Sequence, residues 1–297
     1  MHRFYLITAF LLSGQIALAQ VADTTESGSQ LNEVTVTGYL SKQPLLTTPA
    51  SVGILNATQL RNQAEESLLP AINALPGVRM EERSPGSYRL SLRGSLLRSP
   101  FGVRNVKVYI DEFPFTDAGG NTYLNLIDPR SINRIEILKG PDGSLFGANS
   151  GGVVLLDVTG EPVEDTKASF SLNSGSYGLV HENLSFQKNN NKSQFNLNQA
   201  FQRSDGYREN AALRRHYLQA SEQWKYNATN QLKVFAFYSD LKYETPGGLN
   251  EQQFLANPRR RARQPDPTRG RQNNMPASKI KLFLAAYRTK PDRKSVV

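Results

Sequence analysis

The stretch INRIEILKGPDGSLFGANSGGVVLLDV, residues 132–158, contains two apolar runs joined by a glycine-rich segment. The first run carries Ile132, Ile135 and Ile137 next to charged residues, and the second, GGVVLLDV, is the continuous apolar run of a buried strand. The segment KGPDGSLFGANSGG, residues 139–152, lacks the G-K-[ST] ending whose lysine and hydroxyl bind phosphate and magnesium. We therefore interpret it as turns between short strands and not as a phosphate loop.

The surrounding residues, 47–160, have the pattern of one mixed α+β domain. SVGILNATQLRN predicts a short strand and then a helix that begins near Asn56 or Thr58, since both residue types are good N-caps. ESLLPAINALPGV has apolar residues at helical spacing and stops at Pro76-Gly77. SYRLSLRGS and NVKVYIDEFPF alternate as strands do.

After Gly160 the pattern changes to segments of about ten residues with one apolar face and one face of Ser, Asn and Gln. Residues 161–297 contain five or six such segments, depending on whether KIKLFLAAY, residues 279–287, is counted. A soluble β-sandwich has similar alternation, so this signal alone does not separate a sandwich from a membrane barrel. The apolar faces consist of Ala168, Phe170 and Leu172; Val180, Leu184 and Phe186; Phe195, Leu197 and Phe201; and Leu218, Ala220, Trp224 and Tyr226.

The connections between these segments favour a barrel. GSYG, KNNNK and NATN are short, whereas SDGYRENAALR is longer and residues 244–277 form a very long segment rich in Pro and Arg. The alternation of short turns and longer loops places them at opposite ends of the strands. Outer-membrane barrels have this asymmetry, and a sandwich gives no reason for it.

The N-terminus predicts export. A short basic start and the apolar run from Phe4 to Leu12 precede ALA at residues 17–19, which fits a cleavage site after a signal peptide of residues 1–19. The apolar run is shorter than the roughly 20 residues of a membrane-spanning helix. We expect the mature protein to begin at Gln20.

Composition narrows the classes of function. Cysteine is absent, which excludes disulfides and thiolate chemistry. For an exported protein, the net charge of +9 favours an anionic surface or ligand, and we expect no nucleic acid partner. His181 and His216 occur singly, so we interpret them as structural histidines. We predict no catalytic residue, no metal site and no cofactor, and the chain is not expected to be an enzyme.

Several motifs together resemble those of TonB-dependent outer-membrane receptors. The likeness extends from about Glu33 to about Leu249, and its most specific part is IEILKGP…LFG…GGVV. DGYR and ETPGGL are most similar to the ferric-citrate and ferric-siderophore receptors of this family. The other motifs are EVTVTG, LPGVRMEE, LRGS, VYIDEFPF, DGYRENAALRR and YETPGGL.

The resemblance implies an α+β plug domain, residues 47–160, followed by an antiparallel transmembrane β-barrel of about 22 strands. The function it implies is TonB-dependent active transport of a ferric chelate, a siderophore or ferric citrate, across the outer membrane of a Gram-negative bacterium. TonB with its inner-membrane energising complex, the ferric chelate, and outer-membrane lipid with lipopolysaccharide would be the partners. A receptor for haem or cobalamin and an exported soluble binding module with a plug-like domain are the alternatives.

The chain is short for such a receptor. After Gly160, 137 residues follow (297 − 160), whereas about 22 strands of roughly ten residues need some 220. An open sheet cannot span lipid, because the hydrogen bonds at its edges would go unsatisfied. We therefore expect a fragment of a longer receptor, with the barrel beginning in residues 161–297.

The resemblance also assigns a TonB box within a flexible segment, residues 20–46. The box would be Glu33, Val34, Thr35, Val36 and Thr37, an extended stretch that pairs with TonB by strand addition. The alternative is that this stretch is the first strand of the plug. Residues 21–32 are too few for the additional domain of signalling members, since a domain needs at least about 50 residues.

Two sets of residues are candidate sites by the same resemblance. Arg93 and Lys139 would face barrel glutamates and hold the plug in place, with an ordinary turn residue as the alternative for both. A loop with six arginines between residues 259 and 271 would steer an anionic ligand, bind lipopolysaccharide phosphates, or be a solvated charge run. The candidates for contacting an anionic ferric chelate are Arg83, Arg98, Phe101, Asn121, Thr122 and Tyr123.

Overall fold

The computed structural model describes part of the chain, and its residues fall into two compact units, Met1–Thr35 and Val36–Val297. Of the first unit only Val34 and Thr35 are described, and the account below concerns the second. The predicted signal peptide, Glu33, Thr37, Arg98 and Phe101 lie outside the described residues. The described residues are 34–36, 43–64, 66–95, 102–141, 146–147, 151–162, 164, 166–227 and 230–262, with the backbone alone for 277–289.

The mixed domain, residues 43–160, is built on a five-stranded sheet in the order β3-β8-β9-β6-β7, where the strands have the bounds given below. Strands β6 and β9 are parallel, and the other neighbouring pairs are antiparallel. Strands β4 and β5 form a separate hairpin, and β1 pairs with β2. The strands are β1 (Thr35–Val36), β2 (Gln43–Pro44), β3 (Val52–Asn56), β4 (Val78–Ser84), β5 (Ser87–Leu92), β6 (Val106–Ile110), β7 (Phe113–Pro114), β8 (Arg134–Lys139) and β9 (Gly152–Asp157), and the helices are α1 (Ala57–Arg61) and α2 (Leu69–Asn73). Short 3₁₀ turns cover Leu45–Thr47, Leu124–Leu126 and Pro129–Ser131.

Both predicted helices are present; the first begins where predicted, and the second ends at Asn73, before the predicted stop at Pro76-Gly77. The Asn56 side chain accepts a hydrogen bond from the Gln59 amide and the Gln59 side chain accepts one from the Asn56 amide, each at 2.9 Å. This reciprocal capping box satisfies two backbone donors at the start of α1, which confirms Asn56 as the N-cap. Helix α2 ends at Asn73 with Ala74 as its C-cap, and Gly77, with a φ of +72°, lies in the turn that leads from it to β4.

The stretch 132–158 provides β8 and β9, which lie side by side within the five-stranded sheet. Ile135, Ile137, Val154 and Leu156 are buried in the core of the domain. The continuous apolar run of β9 therefore belongs to a strand with neighbours on both edges, as its sequence predicted.

Gly152, the first residue of β9, allows the backbone to pass where a side chain would not fit. Its φ is +131°, which residues with a side chain rarely adopt. A Cβ at this position would collide with the carbonyl oxygen of Leu138 and lie 2.8 Å from the Leu92 side chain. The glycine-rich segment thus ends at a close approach between β8 and β9.

The second part of the structure is a six-stranded sheet in which every strand is antiparallel to the next along the chain. Within the described residues β10 and β15 are its edges, so the sheet does not close. Helix α3 (Glu251–Ala256) lies in the connection between the last two strands. No helix among the described residues is long and apolar enough to cross a membrane. The strands are β10 (Thr166–Gly175), β11 (Leu179–Asn189), β12 (Ser193–Ser204), β13 (Leu213–Asn227), β14 (Asn230–Tyr243) and β15 (Ala277–Thr289).

The connections of this sheet separate into two groups. β11 is followed by β12, and β13 by β14, at one end of the sheet, which we call the turn end. β10 is followed by β11, β12 by β13, and β14 by β15 at the opposite end, the loop end. Both long connections are at the loop end, as the sequence predicted.

The two faces of the sheet have the reverse of the usual polarity. On the face towards the mixed domain, polar side chains such as His181, Asn183 and Gln219 are buried. On the other face, Phe170 and Leu172 keep 65% and 59% of their surface exposed. A sheet in water normally buries its apolar face, so this sheet is arranged for an apolar surrounding on its outer face.

We predict that Gly152→Ala destabilises the protein by about 2 kcal/mol or more, because the methyl group meets backbone at a positive φ. Gly248→Ala is the matched control, since a Cβ at Gly248 meets no atom within 4 Å. Thermal unfolding of the two purified variants tests this. Equal unfolding midpoints would contradict the close approach at Gly152.

Candidate functional site

The mixed domain packs against the polar face of the six-stranded sheet, and this interface is the candidate functional site. Aromatic contacts form part of it: the rings of Phe113 and Phe235 stack with centroids 5.9 Å apart, and those of Phe115 and Phe237 are also 5.9 Å apart. The remaining contacts are hydrogen bonds and ion pairs between buried polar groups. The interface therefore depends on polar partners as well as on apolar burial.

Asp128 is at the centre of the first polar cluster. Its Oδ1 lies 2.7 Å from a guanidinium nitrogen of Arg215 on β13 and 2.9 Å from Nε2 of His181 on β11. Its Oδ2 accepts a hydrogen bond from the Asn183 amide at 3.3 Å. Arg215 also donates to Gln202 Oε1, at 2.7 Å. Asp128 and His181 have no exposed side-chain surface, so the mixed domain and three strands meet in one dry network.

The charge state of Asp128 follows from these partners. Burial alone would raise the pKa of its carboxyl group, but the hydrogen bond from His181 and the charge of Arg215 outweigh burial and lower that pKa below its ordinary value. Asp128 is therefore a carboxylate at neutral pH, and its charge balances that of Arg215.

A second cluster lies nearer the turn end. The Lys233 ammonium on β14 is 3.0 Å from a carboxylate oxygen of Asp111 and 3.0 Å from one of Glu112. Asp111 also accepts hydrogen bonds from the Val158 amide at 3.0 Å and the Thr159 hydroxyl at 2.7 Å. The cluster thus joins the end of β9 to the sheet.

Asp157 lies beside the second cluster. Burial, followed by the charge of Asp111, raises its pKa to about 6. Its Oδ1 accepts a hydrogen bond from the Gly160 amide at 2.7 Å. Two carboxyl groups near one lysine at this position repel each other, so their protonation states are linked.

The predicted ligand residues that the structure describes lie near the loop end. The turn at Gly86, next to Arg83, is against the side chain of Leu213, and Arg215 donates to the Asn125 carbonyl at 3.2 Å, close to Asn121–Tyr123. Arg83 is exposed and Tyr123 is half-buried. Their role in ligand binding stays a prediction.

Asn121 and Thr122 belong to a loop that is already held by hydrogen bonds. Asn121 Oδ1 accepts from Arg104 Nε at 2.8 Å, and the Asn121 amide donates to Asp117 at 2.9 Å. Thr122 is buried, and its hydroxyl is 2.7 Å from that of Thr116. The Thr122 hydroxyl therefore supports the loop, and Arg104 joins the candidate surface as a residue that the sequence analysis missed.

Arg93 and Lys139 form no ion pair with a carboxylate among the described residues. The Lys139 ammonium donates to the Pro76 carbonyl at 2.7 Å, and burial together with the charge of Arg93 lowers its pKa. Arg93 is exposed and has a φ of +50°. The proposed role of both residues in holding the plug against barrel glutamates stays a prediction.

The described part of the predicted TonB box is a short strand. Val34 is 51% exposed, whereas Val36 is buried and lies in β1, which pairs with β2. Strand pairing here is compatible with either prediction, a box or the first strand of the plug. The assignment of the box therefore stays a prediction.

Some of the predicted loop arginines hold the loop end together. The guanidinium of Arg259 lies 5.6 Å from the ring centroids of both Tyr177 and Tyr207. Arg208 donates to the carbonyls of Gly247 and Arg260, each at 2.8 Å. These cations bind other parts of the loops, and the arginines from Arg263 onward lie outside the described residues.

Sequence reasoning identified His181 as a structural histidine but missed the other residues of both charge clusters. His181, Arg215 and Lys233 lie on the polar faces of alternating strands, so their inward-facing positions were visible in the sequence. Asp128, the partner of His181 and Arg215, is 53 residues from the first and 87 from the second, a separation that no local pattern reveals.

These observations define a class of protein, in which a mixed domain packs against the polar face of an antiparallel sheet. Residues 44–154 match the family model TonB-dependent Receptor Plug Domain. Over these residues the chain is similar to the TonB-dependent receptors. The proteins that it resembles are receptors and transporters, not enzymes.

This chain is similar to parts of several known proteins. It is 26% identical over 154 residues to the vitamin B12 transporter BtuB of Vibrio vulnificus, a match that covers 51% of this chain and 24% of that protein. It is 26% identical over 174 residues to the ferrioxamine receptor of Yersinia enterocolitica, covering 54% of this chain and 24% of that protein. The structure of Pseudomonas aeruginosa FpvA, in a complex with a pyoverdine and iron, has a TM-score of 0.60 at 19% identity, covering 70% of this chain and 27% of FpvA. The chain thus spans about a quarter of the length of these relatives.

We predict that Asp128→Asn destabilises the protein by about 3–5 kcal/mol, because it leaves Arg215 charged, buried and without its carboxylate. Asp205→Asn is the matched control: it breaks an Arg–Asp pair whose side chains are 60% exposed, and should cost at most about 1 kcal/mol. Denaturant unfolding of both variants measures the difference. Similar losses would mean that the Asp128 cluster does not stabilise the interface.

The pH dependence of the destabilisation by Asp128→Asn follows from the lowered pKa of Asp128. In the unfolded chain the carboxyl group titrates near 3.8, so its contribution is fully present above that pH and is lost as the pH falls through the folded pKa. We expect the difference in unfolding midpoint between wild type and Asp128→Asn to be constant above about pH 5 and to shrink as the pH falls from about 5 towards about 2. A difference that stays constant over this range would contradict the carboxylate form of Asp128.

Proposed function

We propose that this chain is part of an outer-membrane receptor that transports a ferric chelate by TonB-dependent uptake. The observation that carries the proposal is the reversed polarity of the six-stranded sheet around the plug. Its polar face is covered by the plug, and its outer face exposes large apolar side chains such as Phe170, Leu172 and Trp224. Such a sheet suits the wall of a transmembrane barrel.

The same observation argues against the alternative of a soluble binding module. In water, such a sheet would expose an apolar face over several strands, which is unfavourable. It would also bury amides and charges, which costs their hydration. In a membrane both faces are matched to their surroundings. A closed barrel of about 22 strands would also remove the open edges at β10 and β15.

In this proposal the loop end faces the outside and the turn end faces the periplasm, since outer-membrane barrels have long external loops and short periplasmic turns. Export by the signal peptide of residues 1–19 is part of the proposal. The candidate ligand surface around Arg83, Arg104 and Asn121 then faces incoming ligand. Two arginines there suit the carboxylate or other anionic oxygens of a ferric chelate.

Among the relatives, one is a ferrioxamine receptor and FpvA was solved with a pyoverdine and iron, which supports a ferric siderophore as the ligand. The match to a vitamin B12 transporter makes cobalamin the second candidate. A cationic surface favours the anionic chelate of the two. Ferric citrate fits the same chemistry.

The two charge clusters bear on how the plug would open. They draw their plug residues, Asp111, Glu112 and Asp128, from the second half of the domain. A pull by TonB on the box at residues 33–37 would act first on the elements before them, β1, β2 and α1. We propose that rearrangement begins there while the anchored half stays on the wall.

Uptake of labelled ferric siderophore and ferric citrate, in cells with and without the gene, tests the proposed function. We expect uptake to require both this receptor and TonB, and the protein to show heat-dependent mobility in an outer-membrane fraction. Loss of vitamin B12 uptake alone after deletion would favour the second candidate. Recovery of the protein only in a soluble fraction would reject the membrane receptor.

For the box we predict that Val36→Pro lowers uptake at least roughly tenfold, because proline removes a ladder donor and fixes φ. Val36→Ala keeps the N–H and should have a much smaller effect. Surface binding of labelled chelate and outer-membrane assembly are measured beside uptake, and both should be unchanged. Normal uptake in Val36→Pro would place the box elsewhere, and loss of binding together with uptake would make this stretch a structural strand of the plug.

A further inference from the structure

Two carboxyl groups lie side by side where the mixed domain passes into the first strand of the six-stranded sheet. Asp111 is in the turn after β6, and its amide donates to the carbonyl of Leu156, the residue before Asp157, at 2.7 Å. The side chains of the two aspartates are hydrogen-bonded to each other. A carboxylate has no donor, so this hydrogen bond requires a proton on one of the two groups. We call Asp111 and Asp157 the acid pair.

The groups around the acid pair carry more negative charge than positive. Lys233 is shared between Asp111 and Glu112, and Arg134 forms an ion pair with Glu136. With both aspartates ionised, these contacts would bring together four carboxylates and two cations, in a place partly removed from water. One proton on the acid pair reduces that excess. Among the described residues, the titratable and charged groups that these contacts place around the pair are Glu112 in the same turn, Tyr109 on β6, Arg134 and Glu136 on β8, Tyr217 on β13 and Lys233 on β14.

The acid pair also holds the junction between the mixed domain and β10. The Val158 amide and the Thr159 hydroxyl donate to Asp111 at 3.0 and 2.7 Å, and the Gly160 amide donates to Asp157 at 2.7 Å. The next strand, β10, begins at the turn end of the sheet, because its first residue is opposite the end of β11. Movement of the two carboxyl groups away from each other would therefore break hydrogen bonds of residues 158–160.

We propose that the acid pair binds one proton, and that release of this proton to water loosens the junction at residues 158–160 as the pH rises. In the protonated pair the shared proton joins the two groups, whereas in the ionised pair two like charges repel each other. The pKa of Asp157, raised to about 6 by burial and then by the charge of Asp111, places this change just below neutral pH. Only the location of the pair rests on the proposed function, in which the turn end faces the periplasm.

The first test compares the purified full-length receptor with its Asp157→Asn variant. Asparagine keeps an acceptor for the Gly160 amide and supplies a donor to Asp111 at every pH. The contribution of the protonated Asp157 is fully present below its unfolded pKa of about 3.8 and is lost as the pH rises through about 6. We therefore expect the unfolding equilibrium constant of wild type, relative to the variant, to rise at least about tenfold between about pH 4 and about pH 7.

Asp117→Asn is the matched control, because Asp117 Oδ1 also accepts a hydrogen bond from a backbone amide, that of Asn121 at 2.9 Å. It reports how much pH dependence the exchange of an aspartate for asparagine causes by itself. A ratio for Asp157→Asn that stays constant with pH would mean that Asp157 is only a structural acceptor, and would overturn the proposal. The same rise in Asp117→Asn would overturn it as well.

The second test needs no variant and places the effect at the junction. Amide hydrogen exchange of Val158 and Gly160 in wild type, corrected for the pH dependence of exchange itself, should show protection that falls at least about tenfold from about pH 5 to about pH 7.5. Equal protection at both pH values would overturn the loosening of the junction. Heat-dependent mobility in the outer-membrane fraction is measured separately, and its absence would remove the periplasmic location without changing the acid pair.

Discussion

The buried carboxylate of Asp128, held between Arg215 and His181, is the interaction on which the arrangement of the two parts depends. An unpaired charge or amide in a dry interface costs several kcal/mol, whereas a paired one costs little. The sheet turns a polar face inward, where side chains such as His181, Asn183 and Arg215 are buried and need partners within the protein. The mixed domain therefore supplies the hydrogen-bond partners of that face. Its carboxylates Asp128 and Asp111 lie beside the cations Arg215 and Lys233 of the sheet.

Specificity of packing follows from this constraint. Apolar contacts such as Phe113 with Phe235 contribute to stability, but they tolerate sliding of one surface over the other. Charge-assisted hydrogen bonds do not, since they depend on distance and direction. With one cluster at Asp128 and another at Lys233, nearer opposite ends of the sheet, the mixed domain has two fixed points and hence one orientation on the sheet.

The sequence predicted local features well because their causes are local. The N-cap at Asn56 and the alternating strands after Gly160 depend on neighbours within a few residues, whereas the second helix ends at Asn73, a few residues before the predicted stop. The Asp128 cluster was not predicted, because its members are brought together by the packing of the plug on three strands. The close approach at Gly152 was likewise hidden: a glycine-rich segment predicts turns, and only the fold shows which glycine faces a carbonyl group.

The alternating pattern of the strands also does not predict which face of the sheet is buried, and the reason is physical. A period of two places Phe170 on one face and Ser169 on the other whether the surroundings are water or lipid. What differs is the partner of each face, and here the polar face carries Arg215 and Lys233, which only a partner with carboxylates can cover. An arginine or lysine on the polar face of an alternating strand therefore helps to predict which face is buried. It does so when a preceding domain can supply carboxylates, and it then says more than the apolar residues do. In this chain the buried cations on one face and the exposed phenylalanine and leucine side chains on the other both support the proposed placement in a membrane.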